Sequence, residues 1–336
     1  MKEKKFKLPL ISRTPREIDP NEDKTPNIKY YFKSLWRKFS KLLSINLMML
    51  FQVIPVLIGV LAYYLWMPRI PVFTDTLYPT LYGIHTITNS AISTTLINAF
   101  GMSIEVSTVA FGGAAIVILI CALFLLITYG WQNVGSSYLM RELVRERPVF
   151  VFSDYFYAVK KNLKQGFILG VVDFLITAVL VFDFFYFYKS FGTSILYNLM
   201  FWCVCGVSVI YLFMHFYIYL MQINFDISIR KIFKNALIFT ALGFKRNILA
   251  VLWILVVAAV NIALFILLLP MNIIVPAVLP FFYFAGFALF TTTYAAYPII
   301  KKFMIDPYYD EYGNPKKADT ATKEGAEAPV PPPEKS

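Results

Sequence analysis

Two ionisable residues, Asp173 and His215, lie well inside long apolar segments of the sequence and are the first candidates for chemistry. An ionised carboxylate in a hydrocarbon environment costs several kcal/mol, so it needs a partner or water. An aspartate beside a histidine could respond to protons or contact a substrate. The same pair could equally be a structural ion pair or line a water-filled cavity. The residue types alone leave these alternatives open.

The positions of the two residues favour a pair. Asp173 lies six residues after the start of one apolar segment, 167–188, and His215 lies five residues before the end of the next, 195–220. With a rise of 1.5 Å per residue, both lie about 8–9 Å from the same edge of a membrane. The connection 189–194 is short, so the two helices must be antiparallel neighbours. We therefore predict contact between Asp173 and His215, although the spacing does not fix how each helix is rotated.

The elements that position these residues are six apolar segments. Each contains about 20 or more mostly apolar residues, the length that an α-helix needs to cross roughly 30 Å of hydrocarbon. We predict an all-α, polytopic membrane helix bundle with six transmembrane helices and additional amphipathic interfacial helices. The predicted spans are 42–66, 110–134, 167–188, 195–220, 248–269 and 274–297.

The positive charges predict the orientation. Of the 31 Lys and Arg residues, 29 fall on one side of these spans, and only Arg69 and Lys189 fall on the other. Because short loops rich in Lys and Arg stay on the inner side, both termini should be cytoplasmic in a multi-pass protein of the cell membrane. The net charge of +11 could also suggest a nucleic-acid partner. Membrane orientation accounts for the charges, so we predict the lipid bilayer and no nucleic acid.

Two cytoplasmic connections resemble each other. In each, an amphipathic stretch contains Lys-Asn, at 161–162 and at 234–235, and a glycine follows at the same distance, Gly170 or Gly243. This indicates a repeated two-helix unit, made of the second and third predicted spans and again of the fourth and fifth, although any interfacial helix combines lysine with apolar residues. Phe156, Val159 and Leu163 should face the membrane or the bundle. The cations on the watery side form a possible docking surface: Lys160, Lys161, Lys164, Arg230 and Lys234.

The remaining parts of the chain are tails and one long outer connection. Residues 1–28 should be a disordered, basic cytoplasmic tail, and residues 305–336 a second disordered cytoplasmic tail. From Ile28 a basic, aromatic amphipathic helix should lie along the inner leaflet, so that 29–304 forms the membrane domain. The connection 67–109 should fold into short helices.

No enzyme is predicted. The sequence contains no Gly-x-Ser-x-Gly elbow, no His-Glu-x-x-His helix and no phosphate-binding Gly-rich loop. Cys121, Cys203 and Cys205 all fall inside apolar segments, and Cys203 and Cys205 point about 200° apart on a helix, so they cannot share a metal ion. We therefore expect no catalytic residues, no metal and no cofactor. The oligomeric state is left open.

Three stretches carry a resemblance to a known family. They are Gly-Ser-Ser-Tyr-Leu-Met-Arg-Glu-Leu-Val-Arg-Glu-Arg-Pro at 135–148, Phe-Ser-Asp-Tyr-Phe-Tyr-Ala-Val-Lys-Lys-Asn-Leu-Lys-Gln at 152–165, and Asn-Ala-Leu-Ile-Phe-Thr-Ala-Leu-Gly at 235–243. Over roughly 40–300 the chain resembles the YesL-like family of bacterial integral membrane proteins, whose function is unassigned. This chain differs by its longer tails and its long connection 67–109. The resemblance implies a role around carbohydrate uptake.

Two functions remain in competition. The chain could be an accessory or partner protein of a sugar importer complex, or a transporter or permease subunit that moves a small solute itself. Intramembrane polar residues and prolines in spans fit transport, but they also occur in spans without such a role. We expect the accessory role, and co-purification with an importer or solute flux in proteoliposomes would distinguish the two.

Overall fold

The protein is a bundle of long apolar helices. The computed structural model describes residues 27–66, 69–72, 84, 87, 104–107, 113–271 and 275–307. In this part of the chain five helices are long and apolar enough to cross a membrane, and a bent helix pair brings the number to six. The predicted all-α, polytopic bundle is therefore confirmed. The two predicted disordered tails lie almost entirely outside the described residues.

Ten α-helices, two short strands and two short terminal turns make up the described structure. In chain order the elements are α1 (Ile28–Arg37), α2 (Phe39–Leu50), α3 (Val53–Trp66), β1 (Arg69–Val72), β2 (Ile104–Ser107), α4 (Gly113–Val144), α5 (Val151–Lys161), α6 (Leu163–Lys189), α7 (Ile195–Asn224), α8 (Ile229–Leu242), α9 (Phe244–Leu268), a 3₁₀ turn (Leu269–Met271), α10 (Val275–Ile300) and a π-helical turn (Lys301–Ile305).

The first span is bent. Helices α2 and α3 meet at an angle of 42° across Phe51 and Gln52. Pro55 is the third residue of α3, and a proline has no N–H for the carbonyl four residues earlier, which is that of Phe51. Its ring also crowds that carbonyl. The bend therefore has a local cause in the sequence.

A short amphipathic helix precedes a span three times. Helices α1, α5 and α8 each end at one non-helical residue, and the next helix starts immediately. The backbone angles φ and ψ at these junctions are similar: −103° and 6° at Lys38, −113° and 22° at Asn162, and −94° and 7° at Gly243. Each span then pairs with a returning one, so the chain contains three units, α1 to α4, α5 to α7 and α8 to α10.

These junctions correct the predicted repeat. The matched Lys-Asn pairs do not occupy equivalent places, because Asn162 ends α5, whereas Asn235 lies in the middle of α8. Asn162 corresponds instead to Gly243. The sequence pattern also paired the spans differently. It joined the second predicted span with the third and the fourth with the fifth, whereas the units of the structure join the third with the fourth and the fifth with the sixth.

Part of the connection 67–109 is extended instead of helical. Strands β1 and β2 pair antiparallel, with Arg69 opposite Ser107 and Val72 opposite Ile104. Between the two strands only Ile84 and Ile87 are described, and both are helical, as predicted; the rest of the predicted short helices falls outside the described residues. Since Pro71 lies in a sheet of only two strands, in which β1 has a single partner, its missing N–H interrupts little of the ladder.

The buried core lies toward one end of the bundle, the end that carries α1, α5 and α8. This end is called the basic end below. The fully buried side chains include Leu139 and Met140 on α4, Tyr217 and Met221 on α7, and Ile300 on α10. Toward the opposite end, large apolar side chains are exposed, for example Phe182, Trp202 and Leu267. Such faces are suited to contact with lipid acyl chains.

Helix α5 has one apolar side buried in the bundle and other apolar residues exposed. Val151, Tyr155 and Ala158 are buried in the bundle, whereas Phe156 is 53% exposed. The sequence predicted Phe156, Val159 and Leu163 for the membrane or the bundle, and of these only Val159 packs against the core. A helix with an apolar side toward lipid and another toward the protein does not show from periodicity which side is which.

Candidate functional site

The structure brings Asp173 and His215 together. Asp173 lies on α6 and His215 on α7, and their Oδ2 and Nε2 atoms are 3.2 Å apart. The Asp173 side chain is completely buried, whereas the His215 side chain remains 31% exposed. The two helices are thus rotated so that the residues predicted at equal depth face each other.

Two tyrosines complete the surroundings of the carboxylate. The Tyr219 hydroxyl donates to Asp173 Oδ2 at 2.7 Å, and the Tyr211 hydroxyl donates to Oδ1. Tyr211, His215 and Tyr219 are spaced four residues apart and therefore line one face of α7. We call Asp173, Tyr211, His215 and Tyr219 the aspartate clasp. Neither tyrosine was predicted from the sequence, although the spacing of four residues on each side of His215 places all three on one helix face.

A third helix contacts the clasp. The Tyr129 hydroxyl of α4 lies 3.4 Å from His215 Nε2. Both oxygens of the carboxylate already accept hydrogen bonds, and no surface of Asp173 is accessible. A substrate could reach Asp173 only by displacing one of these groups, so the arrangement joins α4, α6 and α7 more readily than it receives a ligand. His215 and Tyr211 are the members of the clasp whose residues are partly exposed.

Glycines bring α4 and α6 together beside the clasp. A Cβ atom placed on Gly170 would lie only 2.5 Å from the backbone nitrogen of Gly130. A Cβ atom on Gly130 would in turn lie 2.8 Å from the Cα of Gly170 and would overlap the carbonyl oxygen of Gly166. The two backbones are therefore in direct contact, as expected for a Gly-x-x-x-Gly pattern in a membrane helix.

A network of ion pairs lies at the C-terminal end of α4, at the basic end of the bundle. Glu142 is buried and pairs with Arg141 at 2.6 Å and with Arg145 at 3.5 Å. Arg141 also donates to the carbonyl oxygen of Ile223 and to Asn224 Oδ1, each at 3.0 Å. Because the C-terminus of α7 has unpaired carbonyls, a guanidinium is well suited to cap it. The network thereby fixes α4 against α7.

Glu146 holds the amphipathic helix α1 against the end of α4. Its carboxylate accepts from Arg37 at 2.6 Å, from Lys38 at 2.5 Å and from the Ser34 hydroxyl at 3.2 Å. Glu146 has a φ of 62°, which is unusual for a residue with a side chain. Burial, together with the negative charge of Glu146, raises the pKa of Tyr30 to about 12, so this hydroxyl remains protonated.

Replacing Glu146 with glutamine should loosen α1. The substitution keeps the shape but removes the charge that two largely buried cations share, so we expect a loss of about 1–3 kcal/mol in the free energy of unfolding. Hydrogen exchange of the α1 amides and thermal unfolding would measure it. Asp226→Asn, at an exposed acidic residue near the same end, is the control and should change neither. Unchanged exchange in Glu146→Gln would contradict the anchoring role.

The predicted docking residues lie on the surface of the basic end. Lys160, Lys161, Lys164, Arg230 and Lys234 are all exposed, as is the neighbouring Lys231. Gln165 Nε2 donates to the carbonyl oxygen of Ile227 at 2.7 Å, which joins the start of α6 to the residues before α8. The lysines of α5 and α6 and the cations of α8 therefore flank one junction. We call Lys160, Lys161, Lys164, Arg230 and Lys234 the basic surface.

The described residues offer no metal centre. No three His, Cys, Asp or Glu side chains come together there in a way that could hold an ion. Cys121, Cys203 and Cys205 are free thiols at separate positions in spans.

Fold and site together define a polytopic α-helical membrane protein with a hydrogen-bonded polar clasp between spans. A family model described as a protein of unknown function, DUF624, matches residues 116–184. The chain is similar to that family over most of α4, all of α5 and most of α6, a stretch that includes Tyr129, Gly130, Gly170 and Asp173. No curated protein and no solved structure matched the chain.

Proposed function

We propose that this protein is a non-catalytic accessory protein of the cell membrane that docks a carbohydrate importer through its basic surface. The observation that carries the proposal is the group of exposed cations around the Gln165–Ile227 junction. In the described chain these cations form no ion pair with an acidic side chain, so their charge is available to a partner.

The clasp supports an accessory role over solute transport. A transport site must release its ligand, whereas the carboxylate of Asp173 is fully enclosed and bonded to three side chains. Such a buried, satisfied group stabilises one arrangement of helices. The partial exposure of His215 is the feature that favours the alternative, in which the chain moves a small solute itself.

The orientation and the partner class are parts of the proposal. We infer that the basic end and both termini are cytoplasmic because 29 of 31 Lys and Arg residues fall on that side of the spans. Carbohydrate uptake is inferred from the resemblance to the YesL-like family. An importer partner would then need an acidic cytoplasmic surface to complement the cations.

Charge reversal of the basic surface should abolish docking. The tagged full-length chain, purified from its own membranes in a mild detergent, should carry subunits of a carbohydrate importer that mass spectrometry identifies. Lys160→Glu, Lys161→Glu and Lys164→Glu together should remove them. The matched control reverses three exposed lysines at the same end, Lys245, Lys301 and Lys302, and should retain the partner.

Two further measurements show whether the variants keep their topology and whether the chain moves a solute itself. In a cysteine-free background, a thiol at Thr193 should react with an impermeant reagent in intact cells and a thiol at Lys234 should not, in the wild-type context and in both triple variants. Retention of the importer by the Lys160–Lys161–Lys164 variant would refute the docking site. Solute flux in proteoliposomes of the pure chain, lost in His215→Ala, would support the transport alternative.

A further inference from the structure

An apolar groove opens beside the amphipathic helix α1. Trp36, Phe39 and Leu43 from α1 and α2 form one side, and Trp253, Val257 and Tyr283 from α9 and α10 form the other. Its volume is about 290 Å³. Ligand pockets of drug-sized molecules begin at roughly this size, so the groove can hold one slender apolar chain.

The groove runs along the spans. Helix α9 begins at Phe244 at the basic end, so Trp253 and Val257 lie about 14 Å and 20 Å along its axis. Tyr283 lies about 25 Å from the end of α10 at Ile300. Measured from the inner edges of the predicted spans 248–269 and 274–297, Val257 lies about 14 Å and Tyr283 about 21 Å deep. The lining thus extends from the level of α1 to the middle of a hydrocarbon core about 30 Å thick and slightly beyond it. This is the direction and the depth range of an acyl chain in one leaflet.

Helix α1 is held beside the groove by contacts with α9 and α10. The Tyr31 hydroxyl shares a hydrogen bond of 2.8 Å with Thr291 Oγ1, and the Tyr294 hydroxyl donates to the carbonyl oxygen of Asn27 at 3.0 Å. The ring of Phe32 contacts Trp253 edge to face, with centroids 5.4 Å apart. Trp36 meanwhile remains 78% exposed, so the aromatic edge of α1 is held in place without being covered.

Two cations of α1 precede its groove-lining aromatic residues. Lys29 and Lys33 are exposed and precede Phe32 and Trp36 by three residues, so they share their side of α1 one turn earlier. An interfacial helix places such side chains at the level of lipid head groups, where each attracts anionic lipid by about 1 kcal/mol. A negative head group and an apolar tail can therefore be bound together.

We propose that this groove is a binding site for an anionic phospholipid of the surrounding bilayer. One acyl chain lies between α1–α2 and α9–α10, and the phosphate lies near Lys29 and Lys33. The site is separate from the basic surface and from the clasp. It binds lipid whether or not the protein docks an importer.

Native mass spectrometry can test this site on the full-length chain. The protein is purified in detergent, exposed to vesicles of equal phosphatidylglycerol and phosphatidylcholine, and examined for retained lipid. We expect phosphatidylglycerol to exceed phosphatidylcholine at least fivefold. Val257→Trp, which fills the groove, should lower the retained phosphatidylglycerol at least fivefold. Ile262→Trp, on an exposed face of the same helix, should leave it unchanged.

Two more variants make the result decisive. Leu43→Trp fills the groove from the opposite wall and replaces Val257→Trp if that protein does not fold. Lys29→Gln with Lys33→Gln leaves the groove open and should remove the preference for phosphatidylglycerol. Equal retention of both lipids by the wild type would overturn the proposal. So would groove-filled variants that keep as much phosphatidylglycerol as Ile262→Trp.

Discussion

Asp173→Ala should lower the free energy of unfolding by about 3–5 kcal/mol, one of the two largest effects that we expect. The substitution leaves the hydroxyls of Tyr211 and Tyr219 and the ring of His215 without their common acceptor, the fully buried carboxylate. His215→Ala should cost less, about 1–3 kcal/mol, because both tyrosines still donate to the carboxylate. Denaturant or thermal unfolding of the purified chain would measure both differences.

Asp183→Ala is the matched control for this experiment. Asp183 lies on the same helix but toward its other end and is partly exposed, so its loss should change stability by less than about 0.5 kcal/mol. Equal effects of Asp173→Ala and Asp183→Ala would show that the clasp does not hold α6 and α7 together. A stability loss that is larger in His215→Ala than in Asp173→Ala would make the histidine its main partner.

The depth of the clasp was predictable, but its composition was only partly so. Helix rise and a short connection placed Asp173 and His215 at one level. Which way each side chain points depends on helix rotation, which is set by packing elsewhere in the bundle. Tyr211 and Tyr219 were overlooked because tyrosine is common in membrane helices near interfaces, and its hydroxyl is a polar group that hydropathy hides.

The order of helices was predictable, but their junctions were not. Hydropathy identified the described helices that are long and apolar enough to cross a membrane, because a backbone in a membrane must satisfy its own hydrogen bonds as a helix. The junctions at Lys38, Asn162 and Gly243 share a backbone conformation but not a residue type, so no shared residue identifies them in the sequence. Aligning Lys-Asn pairs therefore gave the wrong register. The three units are related by the arrangement of their helices in the structure and not by a shared residue pattern.

The contact between α4 and α6 was also available in the sequence and was missed. Gly166 and Gly170 are four residues apart and so lie on one face of α6, the spacing of small residues that permits close helix packing. The sequence analysis compared Gly170 only with Gly243. In the structure Gly243 instead lies against Tyr217 and Ile299, so the two glycines serve different contacts.

Gly170→Val should be the second large effect, with a loss of about 3 kcal/mol or more. The added Cβ meets the backbone of Gly130, and a backbone cannot rotate away as a side chain can, so α4 and α6 must separate. Gly206→Val is the matched control, because Gly206 lies in another span with no atom within 4 Å of an added Cβ. Unfolding of both variants in the same detergent would measure the difference, and similar stabilities would show that the contact tolerates a side chain.

Separation of α4 and α6 should also weaken the clasp. Gly170 and Asp173 are three residues apart on α6 and so lie on neighbouring parts of one helix face, while Tyr129 and Gly130 are adjacent on α4. If Gly170→Val displaces α6, the hydrogen bonds of Asp173 are already impaired, and a further Asp173→Ala should cost less than it does alone. We therefore expect the combined loss to fall short of the sum by 0.5–3 kcal/mol, the range typical of contacting residues. Strict additivity would mean that the glycine contact and the clasp stabilise the bundle independently.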